Sequence, residues 1–265
     1  MQEYNVVVET KPGTFEEVLA TDDMTLQQLA EECQENYRDR IVLANVNGRL
    51  RELNKKVTDG AIVSFLNMTE RDGKRTYRRS VTLLLQKAVD NLWGDSVHVR
   101  VFYSLGEGYY CELENNSIDD EKLAAIKSEM QRLVELNLPI EKNSVKTEEA
   151  EHRFRDRGMK DKERLLHYRR SSRVNLYSLD GMEDYFYGYM VSSTGYLGVF
   201  DLQLYEDGFV LLFPNKDGSK VEPLNTSNKL YHTLKQSREW SRMLGVGTIG
   251  ALNDAIAAGK GEQIV

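Results

Sequence analysis

Apolar residues recur along this chain with two different periods, and the places where the period changes mark out its elements. Val6-Val7-Val8 is a short β-rich run, Lys11-Pro12-Gly13 supplies a turn, and residues 14–20 read as the returning strand. Thr25 stands as an N-cap before Leu26, Leu29, Ala30 and Cys33, whose i, i+3, i+4, i+7 spacing puts them on one helical face. Residues 42–46 and 50–53 flank Asn47-Gly48, a pair suited to a two-residue hairpin because both positions tolerate positive φ. Asp59-Gly60 makes another turn before a strand over 61–66.

After a charged, glycine-containing stretch at 70–74, which reads as a connector, the pattern turns helical. Val81, Leu84, Leu85, Ala88, Val89 and Leu92 share one face of a helix over 77–92 that Gly94 ends. Val97, Val99, Val101 and Tyr103 alternate as in a half-buried strand, and Gly106-Glu-Gly108 turns into a strand over 109–113. Ser117-Ile-Asp-Asp120 resembles a capping box and predicts a helix through Leu123, Ile126, Met130, Leu133 and Asn137. A further helix spans about 147–157 and stops at Gly158. Between 174 and 213 ten aromatic residues are spaced among glycines 181, 188, 195, 198 and 208, which predicts antiparallel strands packed on the preceding helices. Two helices close the pattern, about 228–244 and 249–258.

The predicted fold class is α+β. Strand, strand, helix and more strands within 68 residues suggest a ubiquitin-like β-grasp, followed by a larger antiparallel-sheet-plus-helices domain over 75–225 and C-terminal helices over 226–265. With 265 residues, 40 % hydrophobic and 29 % charged, the composition is globular and not disordered. No apolar run approaches the roughly 18 residues of a bilayer span, and Met1-Gln-Glu-Tyr lacks the pattern of a secretory signal. Cys33 and Cys111 form neither a disulfide framework nor a metal knuckle, so the expected location is a reducing cytoplasm with no membrane partner. The net charge of −7 excludes a generic polyanion binder. The chain stops on Ile264-Val265, which reads equally as a natural end or as a helical turn cut short.

Val46-Asn47-Gly48-Arg49-Leu50 and Asp59-Gly60-Ala61-Ile62-Val63 resemble the TGS domain at the front of threonyl-tRNA synthetases. Arg79-Ser80 with Leu83-Leu84, Gly108-Tyr109-Tyr110, and Val145-Lys-Thr-Glu-Glu-Ala150 ending in Asp156-Arg157-Gly158 resemble that enzyme's second additional, editing domain. Asp184-Tyr-Phe-Tyr-Gly-Tyr-Met190, Ser193-Thr-Gly-Tyr196, Phe200-Asp-Leu-Gln203, Leu244-Gly-Val246 and Gly250-Ala-Leu-Asn-Asp254 are similar to the N-terminal region of bacterial uridine-kinase-type nucleoside kinases, where both modules precede a P-loop domain. The resemblance implies a non-catalytic accessory segment of a uridine kinase. ATP and Mg²⁺ would be cofactors of the parent and not of this segment, and its partners would be the parent's own kinase domain and a nucleotide or RNA.

The residues agree with that division of labour. Gly247-Thr-Ile-Gly250 and Gly259-Lys260-Gly261 lack the Gly-Lys-Ser/Thr that cradles a triphosphate, and glycine helix termination accounts better for both. The editing domain's His-x-x-x-His helix, with its Cys and further His around a metal or water, is matched here by Arg79 and Leu83. A guanidinium cannot ligate a cation, and leucine has no donor. His98, His152, His167 and His232 are scattered, and Cys111 reads as a buried strand cysteine more readily than as a nucleophile. The predicted catalytic and metal sets are therefore empty.

Two basic clusters stand out: a net +4 over 68–87 and +6 over 152–173. They either converge on an anion groove with aromatic platforms or form solvated faces and internal pairs. The expected ligand cleft comprises Arg78, Arg79 and Ser80 facing Tyr187, Tyr189, Ser192, Ser193 and Thr194, with Tyr187 and Tyr189 on one strand face. Two alternatives stand beside this reading, a free-standing hydrolase of misacylated tRNA and an interaction scaffold that docks a partner domain.

Overall fold

The structure, a computed structural model that describes residues 3–263, begins with a mixed sheet. Strands β1 (Glu3–Lys11) and β2 (Thr14–Thr21) form a hairpin with Val6 opposite Val18. Helix α1 (Leu26–Cys33) follows with a complete capping box. The Thr25 hydroxyl accepts the Gln28 N–H at 3.3 Å, and the Gln28 side chain accepts the Thr25 N–H at 2.8 Å. Its predicted stripe of Leu26, Leu29, Ala30 and Cys33 is the buried face. Strands β3 (Ile41–Val46) and β4 (Arg49–Arg51) turn through Asn47 and Gly48, whose φ angles of +51° and +78° are the left-handed pair that a type I′ turn needs. Strand β5 (Ile62–Asn67) runs parallel to β1, and the sheet order is β2-β1-β5-β3-β4.

The expected connector at 70–74 is instead the start of helix α2 (Arg71–Trp93), so a domain boundary at 75 falls inside that helix. Glu70 is its N-cap residue, and its carboxylate accepts the Asn67 N–H at 2.8 Å. Gly73 is there for space. A Cβ at this position would lie 1.9 Å from the Asn67 carbonyl oxygen, so only glycine lets the helix lie this close to the end of β5. A local Gly-plus-charge composition signalled a loop where tertiary packing demanded a small helical residue.

Beyond α2 come β6 (Val99–Leu105), β7 (Gly108–Leu113) and α3 (Asp120–Glu135). The α3 N-cap is Asp119, whose carboxylate accepts the Lys122 N–H at 2.8 Å, and not Ser117 as the capping-box reading had it. Ser117 is held by the Lys122 ammonium, which reaches its carbonyl at 2.6 Å. Strand β8 (Ile140–Lys146) and helix α5 (Lys160–His167) have no counterpart in the expectation; helix α4 (Thr147–Asp156) lies between them as predicted. Strands β9 (Arg173–Leu179), β10 (Met182–Tyr185), β11 (Asp201–Tyr205) and β12 (Gly208–Leu212) fill the aromatic and glycine-rich region. They belong to two antiparallel sheets, β10-β9-β8 and β11-β12-β7-β6. Residues 186–200 between β10 and β11 contain no strand, so Tyr187 and Tyr189 do not share a strand face. Helices α6 (Asn228–Met243) and α7 (Ile249–Ala257) follow. The reading of Ile264-Val265 as an interrupted helical turn lies outside the described residues.

The fold is thus mixed α+β, with antiparallel sheets and helices. One apolar core runs from Val8, Leu43 and Phe65 in the first sheet, through Leu84 of α2, to Phe209 and Leu211 in the four-stranded sheet. A polar tie joins the end of the first sheet to the three-stranded sheet and to the 186–200 segment. Glu52, 4 % exposed, accepts from the Tyr177 hydroxyl, from the Met190 N–H at 3.1 Å and from the Lys142 ammonium at 3.4 Å. Among the described residues no helix is long and apolar enough to cross a membrane.

Candidate functional site

Helix α2 presents Arg79, Thr82 and Gln86 at i, i+3, i+7 on one face, beside the apolar run Leu83-Leu84-Leu85. That face forms one wall of a groove of about 530 Å³. The edge strand β6, with Arg100 and the preceding His98, forms the second wall, and Lys162 of α5 with residues 184–186 forms the third. Asp184, 2 % exposed, anchors this wall: it accepts from the Lys162 ammonium at 2.5 Å and from the Tyr185 N–H at 2.6 Å. Lys162 also sits 5.6 Å from the centre of the Phe154 ring. Gln86 also lines the groove, and its Oε1 is buried without a partner among the described residues.

Arg79 is the member of the expected ligand set that lines this groove. Its guanidinium donates to the Tyr189 carbonyl at 2.5 Å and packs beneath Gly188, where a Cβ would come within 2.5 Å of Cζ. Burial pulls its pKa below the ordinary arginine value, with the Tyr177 and Tyr109 side chains acting the other way. Most of the other expected residues have structural partners, although the Ser192 hydroxyl is buried without one among the described residues. Ser80 is fully buried; its hydroxyl donates to the Thr76 carbonyl at 2.9 Å and accepts the Val191 N–H at 3.0 Å. Arg78 turns away to Glu107 at 2.6 Å and lies over the Phe213 ring at 4.8 Å. Thr194 closes the C-terminal end of α3: its hydroxyl donates to the Leu133 carbonyl at 2.6 Å and accepts the Leu138 N–H at 2.8 Å. Ser193 donates to Asn137 at 2.6 Å, and the Ser192 carbonyl accepts the Ile140 N–H. Tyr189 is partly buried near Lys142, whose ammonium lies 5.0 Å from its ring centre, whereas Tyr187 is 82 % exposed. Arg79 and Ser80 meet the 187–194 segment, through hydrogen bonds to its main chain that fix a loop, whereas Arg78 does not.

The basic clusters resolve in the same way. Lys74 and Arg78 share Glu107 at 3.1 and 2.6 Å, and Lys87 pairs with Asp90 and Asp180. Arg153, Arg155 and Arg157 are each held between two carboxylates. Most of the positive charge is therefore spent within the molecule. Thr82, Gln86, His98, Arg100, Lys162 and Asp184, which line the groove, were not singled out as site residues from sequence. The polar stripe at 79, 82 and 86 was the signal available.

The side chains weighed for catalysis from sequence are buried or engaged by other groups. Leu83 is fully buried, and with Arg79 engaged by Tyr189 the two positions that match the His-x-x-x-His helix cannot hold a cation. No group of three His, Cys, Asp or Glu among the described residues could hold a metal ion. Cys111 is completely buried, which pushes its thiol pKa up and away from reactivity. Nor do the glycines fit a triphosphate. The Thr248 hydroxyl caps α7 by accepting the Ala251 N–H at 3.2 Å. A Cβ at Gly250 would meet Arg164 Cβ at 2.6 Å, so this glycine serves helix packing, and Gly259, at φ +73°, ends the helix.

No family model matches the chain. It is similar to the threonine–tRNA ligase of Syntrophotalea carbinolica, 29 % identical over 163 residues that cover 61 % of this chain and 26 % of the relative. The threonine–tRNA ligase of Rubrobacter xylanophilus is 30 % identical over 63 % of this chain and 26 % of its own length. Threonine–tRNA ligase 2 of Bacillus subtilis is 27 % identical over 68 % of this chain and 28 % of its own. The chain thus spans about a quarter of the length of the curated relatives it matches.

Proposed function

We propose that this chain is a tRNA-recognising module whose groove between α2, β6 and α5 receives the terminal aminoacyl-nucleoside of an RNA and binds it without hydrolysing it. Similarity to threonine–tRNA ligases over some three-fifths of the chain carries the link to tRNA. The chemistry of the groove supports binding over turnover. Thr82, Gln86 and His98 supply polar side chains and Tyr109 and Phe186 apolar ring surface, while Lys162 is paired with Asp184 and the positions matched to editing ligands hold Arg79 and Leu83. We read the N-terminal sheet, with its 2-1-5-3-4 order and crossing helix, as a TGS-type β-grasp, and the remainder as an editing-type domain.

Calorimetry with a non-hydrolysable 3′-aminoacyl-adenosine analogue tests the proposal. Binding that Gln86→Leu and Thr82→Phe abolish supports it, and no heat at saturating concentration removes it. The relatives favour a second reading, editing-type hydrolysis, in which His98 on the groove wall is the available base. Release of serine from seryl-tRNA by this chain, lost in His98→Ala, would establish that reading in place of the first. The finer idea of an accessory segment ahead of an ATP- and Mg²⁺-dependent uridine kinase rests on the motifs over 184–203, 244–246 and 250–254 alone, and the relatives found are tRNA ligases. Under that idea uridine, and not the aminoacyl-adenosine analogue, would give the calorimetric signal.

A further inference from the structure

We infer that a surface beside the groove, built from Lys146, Arg169, Arg170 and Tyr187, binds the sugar–phosphate backbone and bases of a single-stranded RNA segment. The inference takes from the proposed function only that RNA is the partner. It starts from an imbalance of charge. In a chain of net charge −7, the arginines of α4 are all neutralised by carboxylates, yet Lys146, Arg169 and Arg170 have no carboxylate partner among the described residues. They line one open depression of about 610 Å³ with Arg173. The acidic residues there are Glu148 and Glu151, and Glu151 is already engaged by Arg155 at 3.1 Å and His167 at 3.5 Å.

The loop that carries the two arginines is held at both ends. Tyr168 donates to Asp254 of α7 at 2.8 Å. On the other side, Thr147 donates to the Ser171 carbonyl at 2.5 Å and Arg173 to the Ser144 carbonyl at 2.5 Å. Arg169 and Arg170 are thus displayed from a fixed turn, which lowers the ordering cost of binding. Arg169 also links the patch to the groove. Its guanidinium lies 5.6 Å from the centre of the Tyr187 ring, while the neighbouring Phe186 lines the groove and Gly188 packs on Arg79. Tyr187 is 82 % exposed, an unusual position for so large a ring, and no packing role accounts for it. An open ring beside unpaired arginines is the combination on which bases stack while phosphates are neutralised.

Fluorescence anisotropy of the full chain with a short single-stranded RNA blocked by a 3′-phosphate, titrated at several salt concentrations, tests the patch apart from the groove. Each lost phosphate contact should reduce the log–log salt slope by about 0.7, so Arg169→Ala with Arg170→Ala should lower it by about 1.4 and weaken binding about tenfold. Tyr187→Ala should weaken binding about fivefold or more with the slope kept. Both variants should bind the 3′-aminoacyl-adenosine analogue as the wild type does. Unchanged RNA affinity in these variants, an equal loss from Lys55→Ala with Lys56→Ala between β4 and β5, or binding of phosphatidylserine vesicles in place of RNA would overturn the inference. If the analogue binds and the RNA does not, the patch assignment falls and the groove reading stands; if RNA binds through the patch and the analogue does not, the reverse holds.

Discussion

Replacing Glu52 by alanine should loosen the joint between the first sheet and the groove loop. The carboxylate, 4 % exposed, is the shared acceptor for the Tyr177 hydroxyl, the Met190 N–H at 3.1 Å and the Lys142 ammonium at 3.4 Å. Tyr177 would keep its second acceptor, the Gly188 carbonyl at 2.5 Å. Met190 is 1 % exposed, and its N–H would be stranded at a cost of about 1–3 kcal/mol. Lys142, whose side chain is 18 % exposed, would lose its counter-charge, although it can turn partly into solvent. Together these losses come to about 3–4 kcal/mol, inside the range of roughly 3–5 kcal/mol for removing one partner of a buried pair. Urea unfolding should show that loss as a lower midpoint with an unchanged slope, and Tm should fall by about 6–12 °C. Glu52→Gln retains an acceptor for Met190 and removes the charge, so it should cost roughly half as much. Proteolysis within 186–200 should accelerate in the alanine variant before global unfolding does. A loss under about 1 kcal/mol for Glu52→Ala would refute the claim that this carboxylate holds the joint together.

Other consequences can be checked independently. Gly73→Ala gains helix propensity of roughly 1 kcal/mol but forces a Cβ to 1.9 Å from the Asn67 oxygen, so thermal melts should show a net destabilisation of about 2–3 kcal/mol. Cys111 is fully buried and Cys33 is 6 % exposed, and burial raises both thiol pKa values. Thiol labelling of the native protein should therefore proceed at the rate of opening and become fast in denaturant. Glu107 is held below its ordinary pKa first by the hydrogen bond from Lys74 and further by Arg78. A lowered folded-state pKa gives stability that is present above the unfolded value and disappears as pH falls through the folded one. Acid titration of stability below the ordinary Glu value of about 4.3 should accordingly be shallower for Glu107→Gln than for the wild type.

The sequence was most legible where local chemistry settles local structure. Thr25 with Gln28, Asn47-Gly48 and the stripe of Leu26, Leu29, Ala30 and Cys33 each specify their geometry within a few residues, and the structure has all three. It was least legible where a distant partner decides. Gly73 is helical because Asn67 lies against it, a contact between elements that no composition window contains. Strand β8 reads Ile-Glu-Lys-Asn-Ser-Val-Lys, with apolar residues only at its two inner ends, and exists through its pairing with all of β9. Residues 186–200 have the aromatic content of a strand, yet Tyr177, Arg79, Ser80 and Glu52 take the backbone groups of 188–191 that a ladder would need.

The same cause explains why several residues of the expected ligand set have internal hydrogen-bond partners in the structure. Ser80, Thr194 and Arg79 were chosen because hydroxyls and a guanidinium near aromatic residues suit an anionic ligand. Their donors and acceptors are instead matched to main-chain groups of 188–194 and of the end of α3. A sequence does not distinguish a hydroxyl that waits for substrate from one that satisfies a buried N–H, because the difference lies in the partner. The arginine shows what that substitution achieves. Positions 79 and 83 are one helical turn apart, a spacing that would let paired histidines share a cation. With leucine sealed into the core at 83 and a guanidinium lying under Gly188 at 79, the same turn becomes a strut for the loop that walls the groove. The same loop carries Tyr187, whose ring lies 5.6 Å from the guanidinium of Arg169, so the strut at position 79 also fixes the exposed ring beside that arginine.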